Sequence, residues 1–200
     1  MRCEYCENEP IYRCNNCGKL VCGEHARFRI TCFSCATHTA FKYDIKKVKT
    51  DTERKKIREL VQQFWGEEEQ LTFDRRFRVA ELPTYIAKVR DQIVGFVSFL
   101  DINDDSTVIA ALGILPKYQN SGIGTKLLTK VETEAMKKQK KKLLVSTSND
   151  DFPALAFYQS LGFQIYEAKP NVIAEKHGKI VRGIGGLPVR DELRLQKSLT

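Results

Sequence analysis

The fold is decided by residues 107–124, which read TVIAALGIL followed by PKYQNSGIG. The first nine residues are apolar and suit a strand that is buried on both faces, and Pro116 ends it. Apolar side chains then recur at the spacing of an α-helix, at Ile123, Leu127, Leu128, Val131 and Ala135. Residues 143–145 follow as a second short, buried strand. A strand, a helix and a strand within about forty residues predict a right-handed crossover between two parallel strands.

The upstream residues predict further parts of the same sheet. Thr50 and Glu53 form a capping box in front of an amphipathic helix. The apolar face of that helix carries Ile57, Leu60, Val61 and Phe64. Residues 85–89 and 93–100 suit the two strands of a hairpin.

The downstream residues predict a second helix and two more strands. One face of this helix carries Ala154, Phe157, Tyr158 and Leu161, and Gly162 ends it. Strands are predicted at residues 163–166 and 192–199, whereas residues 167–191 show no clear period. Together these elements predict an α+β fold built on a mixed central sheet.

The glycines at the start of the central helix favour the binding of an anion. The N–H groups of a first helical turn lack intrahelical partners, and the helix dipole places partial positive charge there. Gly122 and Gly124 allow a phosphate to approach the main chain closely. A Rossmann fingerprint would need a third glycine where Leu127 lies, and the GxxxxGK[ST] pattern of a P-loop is absent.

Two motifs together resemble those of the GNAT acetyltransferase superfamily. They are Gln119-x-x-Gly122-x-Gly124 and, further along the chain, Ala154-x-x-Phe157-Tyr158-x-x-x-Gly162-Phe163. The resemblance covers about residues 41–200, in the expected order of elements. It implies that the two parallel strands splay apart and that the pantetheine arm of acetyl-CoA pairs with the first strand inside the opening. It also implies transfer of the acetyl group to an amine.

Carried over residue by residue, the resemblance implies a binding site for acetyl-CoA. Main-chain groups of Leu112, Gly113 and Ile114 would contact the pantetheine and the thioester. The pyrophosphate would lie on Gln119, Asn120, Ser121, Gly122, Ile123, Gly124 and Thr125. The family often has asparagine where this chain has Asp151. We therefore expect Asp151 or Asn149 to contact the cofactor, unless Asp151 caps the following helix instead.

The resemblance places Tyr158 beside the sulfur of CoA as the catalytic residue. Full proton transfer from a phenol with a pKa near 10 to a thiolate with a pKa near 8.5 is uphill by about 2 kcal/mol. A hydrogen bond to the departing thiolate is therefore favoured. No general base is evident, because residues 107–115 include no carboxylate. The remaining candidates are Glu81, Asp101, Asp150 and the lone His177.

All seven cysteines lie between positions 3 and 35, which indicates metal binding rather than a disulfide framework. Four ligand pairs, each with two intervening residues, are enough for two closed tetrahedral sites. Short loops favour interleaved pairs. One ion would then bind Cys3, Cys6, Cys22 and His25, and the other Cys14, Cys17, Cys32 and Cys35. The pattern resembles the B-box and AN1 groups of cross-brace zinc fingers and implies two structural Zn²⁺ ions. His38 is a ninth candidate, which could replace Cys32 or Cys35.

The chain therefore divides into a predicted zinc-finger domain at residues 1–39 and a predicted acetyltransferase domain at residues 40–200. We expect acetyl-CoA as cosubstrate and an amine as acceptor. The net charge of +8 suits a polyanionic ligand. The presence of the predicted zinc finger slightly favours a protein or RNA amine over a small metabolite. The alternative is a catalytically inactive adaptor that binds CoA, protein or RNA. No apolar run is long enough to span a membrane and no signal peptide is evident, so we expect a cytoplasmic protein.

Overall fold

The computed structural model describes most of the chain. The described residues are 2–10, 12–13, 19–22, 26–27, 31–32 and 42–199, with the backbone alone for 12–13, 26–27 and 31–32. Two antiparallel ribbons lie in the N-terminal part. They are β1 (Tyr12–Arg13) with β2 (Leu20–Val21) and β3 (Ala26–Arg27) with β4 (Thr31–Cys32).

The other elements follow from residue 44 onward. The strands are β5 (Asp44–Lys47), β6 (Glu69–Thr72), β7 (Arg75–Arg78), β8 (Thr84–Val89), β9 (Gln92–Asp101), β10 (Ser106–Ile114), β11 (Lys142–Ser148), β12 (Gln164–Lys169), β13 (Val181–Arg182), β14 (Pro188–Val189) and β15 (Glu192–Ser198). The helices are α1 (Asp51–Trp65), α2 (Ile123–Lys137), α3 (Phe152–Ser160) and α4 (Val172–His177). No helix in the described part of the chain is long and apolar enough to cross a lipid bilayer.

Seven of these strands form the central sheet, in the order β12-β15-β11-β10-β9-β8-β5. β10 and β11 run parallel, and every other neighbouring pair in this sheet is antiparallel. The helix α2 connects the two parallel strands, as the apolar pattern predicts. This confirms the expected α+β fold with a mixed central sheet.

Helices cover the sheet on both faces, because each side of the sheet carries apolar side chains. Phe96 and Val97 are neighbours on β9 but belong to two different cores, as expected where side chains alternate between faces. α2 packs into the core of Val97 through Leu127 and Val131, with α3 beside it. α1 packs into the core of Phe96 through Ile57. We call these two sides the α2 face and the α1 face.

The start of α1 shows how local sequence sets an element. Thr50 caps the helix, and its hydroxyl accepts the N–H of Glu53 at 3.2 Å. The carboxylate of Glu53 turns back to accept the N–H of Lys49 at 3.1 Å. Gly66 closes the helix in the left-handed conformation, with φ of 73°. The predicted capping box is therefore present, with its return bond made to Lys49 instead of Thr50.

The structure also contains elements that the sequence analysis does not predict. β6 and β7 pair as a separate hairpin, and β5 forms one edge of the central sheet. Within residues 167–191, for which no element was predicted, α4 is followed by the antiparallel ribbon of β13 and β14. The turn between β8 and β9 holds two residues, and Arg90 takes a positive φ of 53° there.

Candidate active site

The parallel strands β10 and β11 separate partway along their length. Their register covers four residues of each strand and ends where Ile109 lies opposite Val145. Beyond this point β10 stays beside β9, and β11 stays beside β15. A shift in the β9–β10 register after Ile109 accompanies the separation. We call the opening between residues 110–114 and residues 146–148 the wedge.

One side of the wedge is the end of β10, which carries Leu112, Gly113 and Ile114. A Cβ atom placed on Gly113 would be 2.6 Å from the ring of Phe64 and 3.2 Å from that of Phe96. Glycine is needed there because the two rings fill the α1 face of the strand. The main chain, rather than a side chain, is therefore what Gly113 can offer to a ligand, and the contact of these residues with acetyl-CoA stays a prediction.

The first turn of α2 lies between the end of β10 and α3. A Cβ atom placed on Gly124 would be 3.3 Å from the Phe157 ring and 3.9 Å from the Ile114 side chain, so glycine permits close packing. Ile123 is buried and anchors the turn. Gly122 has a left-handed φ of 81°, and nothing lies within 4 Å of the position of a Cβ. The main chain at Gly122 therefore borders open space at the start of a helix, where N–H groups lack intrahelical partners, and such a place suits a phosphate.

The loop before α2 is held by its own side chains. Gln119 Nε2 donates to the carbonyl oxygen of Ile114 at 3.0 Å, and Ser121 Oγ donates to a carbonyl oxygen three residues earlier at 2.5 Å. Asn120 takes a φ of 60°, which asparagine tolerates better than most residues. Thr125 is exposed on the first turn. Gln119 and Ser121 thus shape the predicted pyrophosphate loop through their side chains.

Tyr158 lies in the core between α3 and the sheet, where it is 6% exposed. Its ring makes edge contacts with Phe157 and Phe163 at centroid distances of 5.3 and 5.5 Å. Burial, together with the nearby charge of Asp151, raises the pKa of Tyr158 above its ordinary value. Within the described part of the chain no hydrogen bond engages its hydroxyl. The group is therefore a protonated donor that is free to meet a ligand atom.

Asp151 and Asn149 follow β11 and were predicted to contact the cofactor, and both form hydrogen bonds within the protein. Asp151 caps α3 by accepting the N–H of Ala154 at 3.0 Å. Burial raises the pKa of Asp151, against the effect of this bond. Asn149 donates to the carbonyl oxygen of Pro188 at 2.8 Å and accepts the N–H of Arg190 at 3.0 Å. These contacts support the capping role of Asp151, and a contact of either residue with CoA stays a prediction.

The candidate bases lie at different places in the fold. Asp101 ends β9 beside the paired part of β10, and accepts from Thr107 Oγ1 at 2.6 Å and Lys138 Nζ at 2.9 Å. Partial burial raises the pKa of Asp101, but these two donors outweigh that effect and lower it below the ordinary value. Glu81 is exposed in the short turn before β8, and His177 is exposed in the last turn of α4. None of these placements indicates a base at the wedge.

Asp150 follows β11 at the open end of the parallel pair and is buried. Its carboxylate accepts from Ser148 Oγ at 2.6 Å and from the N–H of Ile184 at 2.9 Å. A Cβ atom on Gly183 would be only 2.0 Å from one carboxylate oxygen, so glycine is required in that loop. Both oxygens of Asp150 therefore hold the loop against β11, which is a structural role.

A polar cluster on the α1 face of β11 and β15 was not predicted from the sequence. Its members are Thr72, Ser146, Glu192 and Arg194, which form a continuous set of contacts. Glu192 and Arg194 alternate with leucines along β15, a pattern that normally predicts a polar face exposed to solvent. The structure covers this face with the β6–β7 hairpin, so no local signal could have identified the cluster.

Three cysteines of the N-terminal segment lie together. The sulfur atoms of Cys3, Cys6 and Cys22 are all within 4.8 Å of one another, and those of Cys6 and Cys22 are 3.7 Å apart. Zn–S bonds of about 2.3 Å at tetrahedral angles place two sulfurs about 3.8 Å apart. The predicted fourth ligand, His25, lies outside the described residues, as do Cys14, Cys17, Cys35, His38 and the side chain of Cys32.

Comparison with known proteins places this architecture among acetyltransferases. The model of the acetyltransferase (GNAT) family matches residues 51–163. The uncharacterized protein YxbD of Bacillus subtilis is 31% identical over 144 residues, which are 69% of this chain and 88% of that protein.

Solved structures share the fold at lower sequence identity. A GNAT family acetyltransferase from Elizabethkingia anophelis with acetyl-CoA bound has a TM-score of 0.59 at 22% identity, over 78% of this chain and 97% of that one. The ribosomal-protein-S18-alanine N-acetyltransferase from Escherichia coli has a TM-score of 0.57 at 16% identity, over 80% of this chain and 95% of that one.

Proposed function

Because this chain belongs to the GNAT acetyltransferase family, we propose that it transfers the acetyl group of acetyl-CoA to an amine by direct attack on the thioester. The observation that carries the proposal is the wedge. In the wedge, β10 and β11 no longer pair with each other, so their facing edges are open to a ligand. The start of α2, which suits an anion, and the buried phenol of Tyr158 both lie on the α2 face. Few ligands other than a nucleotide-linked thioester would use all three features.

In this proposal acetyl-CoA fills the wedge. The amides of the pantetheine arm would pair with the main chain of residues 112–114, where β10 has lost β11 as a neighbour. The pyrophosphate would lie on the N–H groups of residues 119–125, next to the open space at Gly122. The acetyl-CoA bound to the relative from Elizabethkingia anophelis supports this cosubstrate, because the two proteins share the fold.

The transfer itself needs few protein groups. The nitrogen lone pair attacks the thioester carbon, the C–S bond breaks and a C–N bond forms, while one proton passes from the nitrogen to solvent. An N–H near Ile114 would stabilise the oxyanion, and Tyr158 would donate a hydrogen bond to the departing thiolate. The raised pKa of Tyr158 favours this donor role over proton transfer, because the phenol keeps its proton.

We extend the proposal to a macromolecular acceptor, an amine of a protein or an RNA. The net charge of +8 suits an acidic partner, and a zinc-binding domain, which we propose below for residues 1–39, would suit recognition of a large acceptor. The relative from Escherichia coli is an N-acetyltransferase of the alanine of a ribosomal protein. The cytoplasmic location expected from the sequence also stays a prediction, which cell fractionation would check.

We further propose that residues 1–39 form a zinc-binding domain and residues 40–200 the acetyltransferase domain. The spacing of the Cys6 and Cys22 sulfurs fits a tetrahedral zinc site, and thiolates are preferred zinc ligands. Cys3, Cys6, Cys22 and His25 would hold one ion, and Cys14, Cys17, Cys32 and Cys35 the other. Such closed sites would supply folding free energy, because a segment of about 39 residues is too short to bury much apolar surface by itself.

Elemental analysis of the purified protein tests the metal assignment. We expect two zinc ions per chain in the wild type and one in the Cys22→Ser variant, because the first site then lacks a thiolate. A wild-type protein without bound zinc, or a Cys22→Ser protein that retains both ions, would contradict the assignment. The catalytic proposal does not depend on this result.

Calorimetry with CoA and a thiol-release assay with acetyl-CoA test the catalytic function. The acceptors are an alanine-initiated peptide, spermidine and kanamycin, which present an α-amine, a polyamine and an aminosugar. We expect CoA to bind and at least one acceptor to release thiol above the rate of hydrolysis. Binding without turnover of any acceptor would favour the inactive adaptor, for which the lack of a carboxylate on β10 is the supporting observation. Absence of CoA binding would remove the proposal altogether.

A further inference from the structure

A buried polar chain borders the wedge on the α1 face. Ser146 is the first residue of β11 beyond the last parallel pair, and Val145 before it faces the α2 core. Since side chains alternate along a strand, Ser146 points to the α1 face. Its Oγ lies 2.5 Å from Thr72 Oγ1, which in turn lies 3.1 Å from Glu192 Oε1.

The carboxylate at the inner end of this chain is enclosed by donors. Glu192 is 3% exposed and Thr72 is 6% exposed. Oε1 of Glu192 also accepts the N–H of Phe73 at 3.2 Å, and Oε2 accepts Arg194 Nε at 2.9 Å. Both oxygens are therefore satisfied, and the chain of hydroxyls is anchored to a rigid acceptor.

This anchor sets the direction of both hydroxyl protons. A carboxylate only accepts hydrogen bonds, so the proton of Thr72 points at Glu192. Thr72 then has only lone pairs to offer Ser146, and the proton of Ser146 points at Thr72. Ser146 has one proton and two lone pairs, so with its proton directed at Thr72 the lone pairs remain able to accept a hydrogen bond at the edge of the wedge.

We propose that Ser146 binds the acceptor amine of the transfer by accepting a hydrogen bond from its N–H, and that Thr72 and Glu192 are the positioning residues for this hydroxyl. The inference rests on the proposed function and adds the acceptor side to it. Across the wedge, Gly113 brings no side chain to the α1 face, and Ser146 offers its hydroxyl on that face. Tyr158 belongs to the α2 face. The amine and the departing thiolate are thus held from opposite faces of the sheet.

Glu192 orients the chain but does not collect the proton of the amine. Protonation of Glu192 through the two hydroxyls would break its ion pair with Arg194, and loss of one partner of a buried pair is costly. Arg194 also contacts Asp74 at 3.0 Å and Glu167 at 3.1 Å, which hold the guanidinium in place. The proton therefore leaves the nitrogen to solvent, and the chain acts by orientation.

The experiment measures thiol release from acetyl-CoA by the full chain, with whichever of the three acceptors named above has the highest wild-type rate. We expect Ser146→Ala to lower kcat/KM for the acceptor about tenfold, while KM for acetyl-CoA and Kd for CoA stay unchanged. Thr72→Val should lower it similarly, because the Ser146 proton then turns toward the amine. Thr72→Ser keeps a hydroxyl and should recover most of the loss.

Thr133→Val is the matched control, because its exposed hydroxyl donates only to the carbonyl oxygen of Thr129 in its own helix. We expect this variant to stay within twofold of the wild type. If Thr72→Val does not fold, as its melting curve would show, Ser146→Ala carries the test alone.

Two results for Ser146→Ala overturn the inference while the proposed function stands. One is an unchanged kcat/KM for the acceptor, and the other is an equal loss of acceptor turnover and CoA affinity, which indicates a distorted wedge. A wild-type protein that turns over none of the three acceptors is a different failure. It removes the catalytic function itself, and the inference with it.

Discussion

The two ends of the β10–β11 pair differ in how completely their polar groups are satisfied. At the closed end the strands pair through four residues, and Asp101 is held by Thr107 and Lys138. At the open end the strands part, and the Tyr158 hydroxyl makes no hydrogen bond to the described residues. The difference indicates that the closed end stabilises the sheet, whereas the open end holds unsatisfied groups that a ligand can use.

The largest effect on this contrast is expected from Tyr158→Phe at the open end. Removal of the hydroxyl takes away the donor for the departing thiolate, and loss of one such donor lowers kcat by about 10²-fold. Because the ring and its contacts with Phe157 and Phe163 remain, the Kd for CoA should change less than twofold. Steady-state thiol release and calorimetry measure the two quantities. A kcat within threefold of the wild type would show that the phenol is only a core residue.

The next effect is expected from Gly122→Ala, for which Gly66→Ala is a matched control. Both glycines have left-handed φ values, 81° and 73°, and both have open space where a Cβ would be. Each substitution should lower the free energy of unfolding by about 1 kcal/mol, because alanine disfavours this conformation. We expect only Gly122→Ala to weaken CoA binding, by about tenfold, since its methyl group would lie between the main chain and the pyrophosphate.

Calorimetry with CoA and urea unfolding separate these two contributions. Equal CoA affinity in the two variants would break the assignment of the α2 start as the pyrophosphate site. Weaker CoA binding in both would mean that strain alone, rather than the position of the methyl group, accounts for the loss.

The crossover formed by β10, α2 and β11 could be predicted from the sequence because the buried positions of these elements are marked by apolar residues. Residues 108–115 are apolar since β10 is covered on both faces, and the helical spacing after Ile123 matches the side of α2 that packs on the sheet. The glycines of the proposed pyrophosphate loop are recognisable in the sequence for a related reason. Gly122 must take a left-handed φ and Gly124 must pack against Phe157, so both positions show in the sequence as glycines.

The α1 face of the wedge could not be predicted, because its burial depends on distant parts of the chain. Thr72 and Glu192 are 120 residues apart, and nothing near either residue indicates that they meet. The alternation along β15 predicts a solvent-facing polar side, and the β6–β7 hairpin overrides it. Asp151 illustrates a second limit, since its position fits both a helix cap and a cofactor contact, and the observed bond to Ala154 is the cap.

The free energy of unfolding at alkaline pH should depend on the protonation of the Tyr158 hydroxyl at the open end. The pKa of Tyr158 is raised in the folded protein, whereas the unfolded chain has a tyrosine pKa near 10. Above pH 10 the unfolded state therefore loses a proton that the folded state keeps, and the free energy of unfolding falls with rising pH. We expect the wild type to lose about 1 kcal/mol relative to Tyr158→Phe between pH 10 and pH 11, because the unfolded phenol is already half ionised at pH 10. Urea unfolding at the two pH values measures this difference, and parallel curves would contradict the burial of the hydroxyl.

The smallest effect is expected at the closed end, from Asp101→Asn. The lowered pKa of Asp101 means that its charge stabilises the fold above the unfolded value near 4, and that this contribution is lost as the pH falls through the folded value. The substitution should cost about 0.5–1 kcal/mol at pH 7, as is usual for partly exposed ion pairs, and nothing near pH 2. Thiol release and the Kd for CoA should stay at wild-type values, because Asp101 lies beside the paired residues and not at the wedge. A clear loss of turnover at unchanged stability would instead show that Asp101 takes part in the reaction. The closed end of the β10–β11 pair would then have a catalytic role as well as a stabilising one.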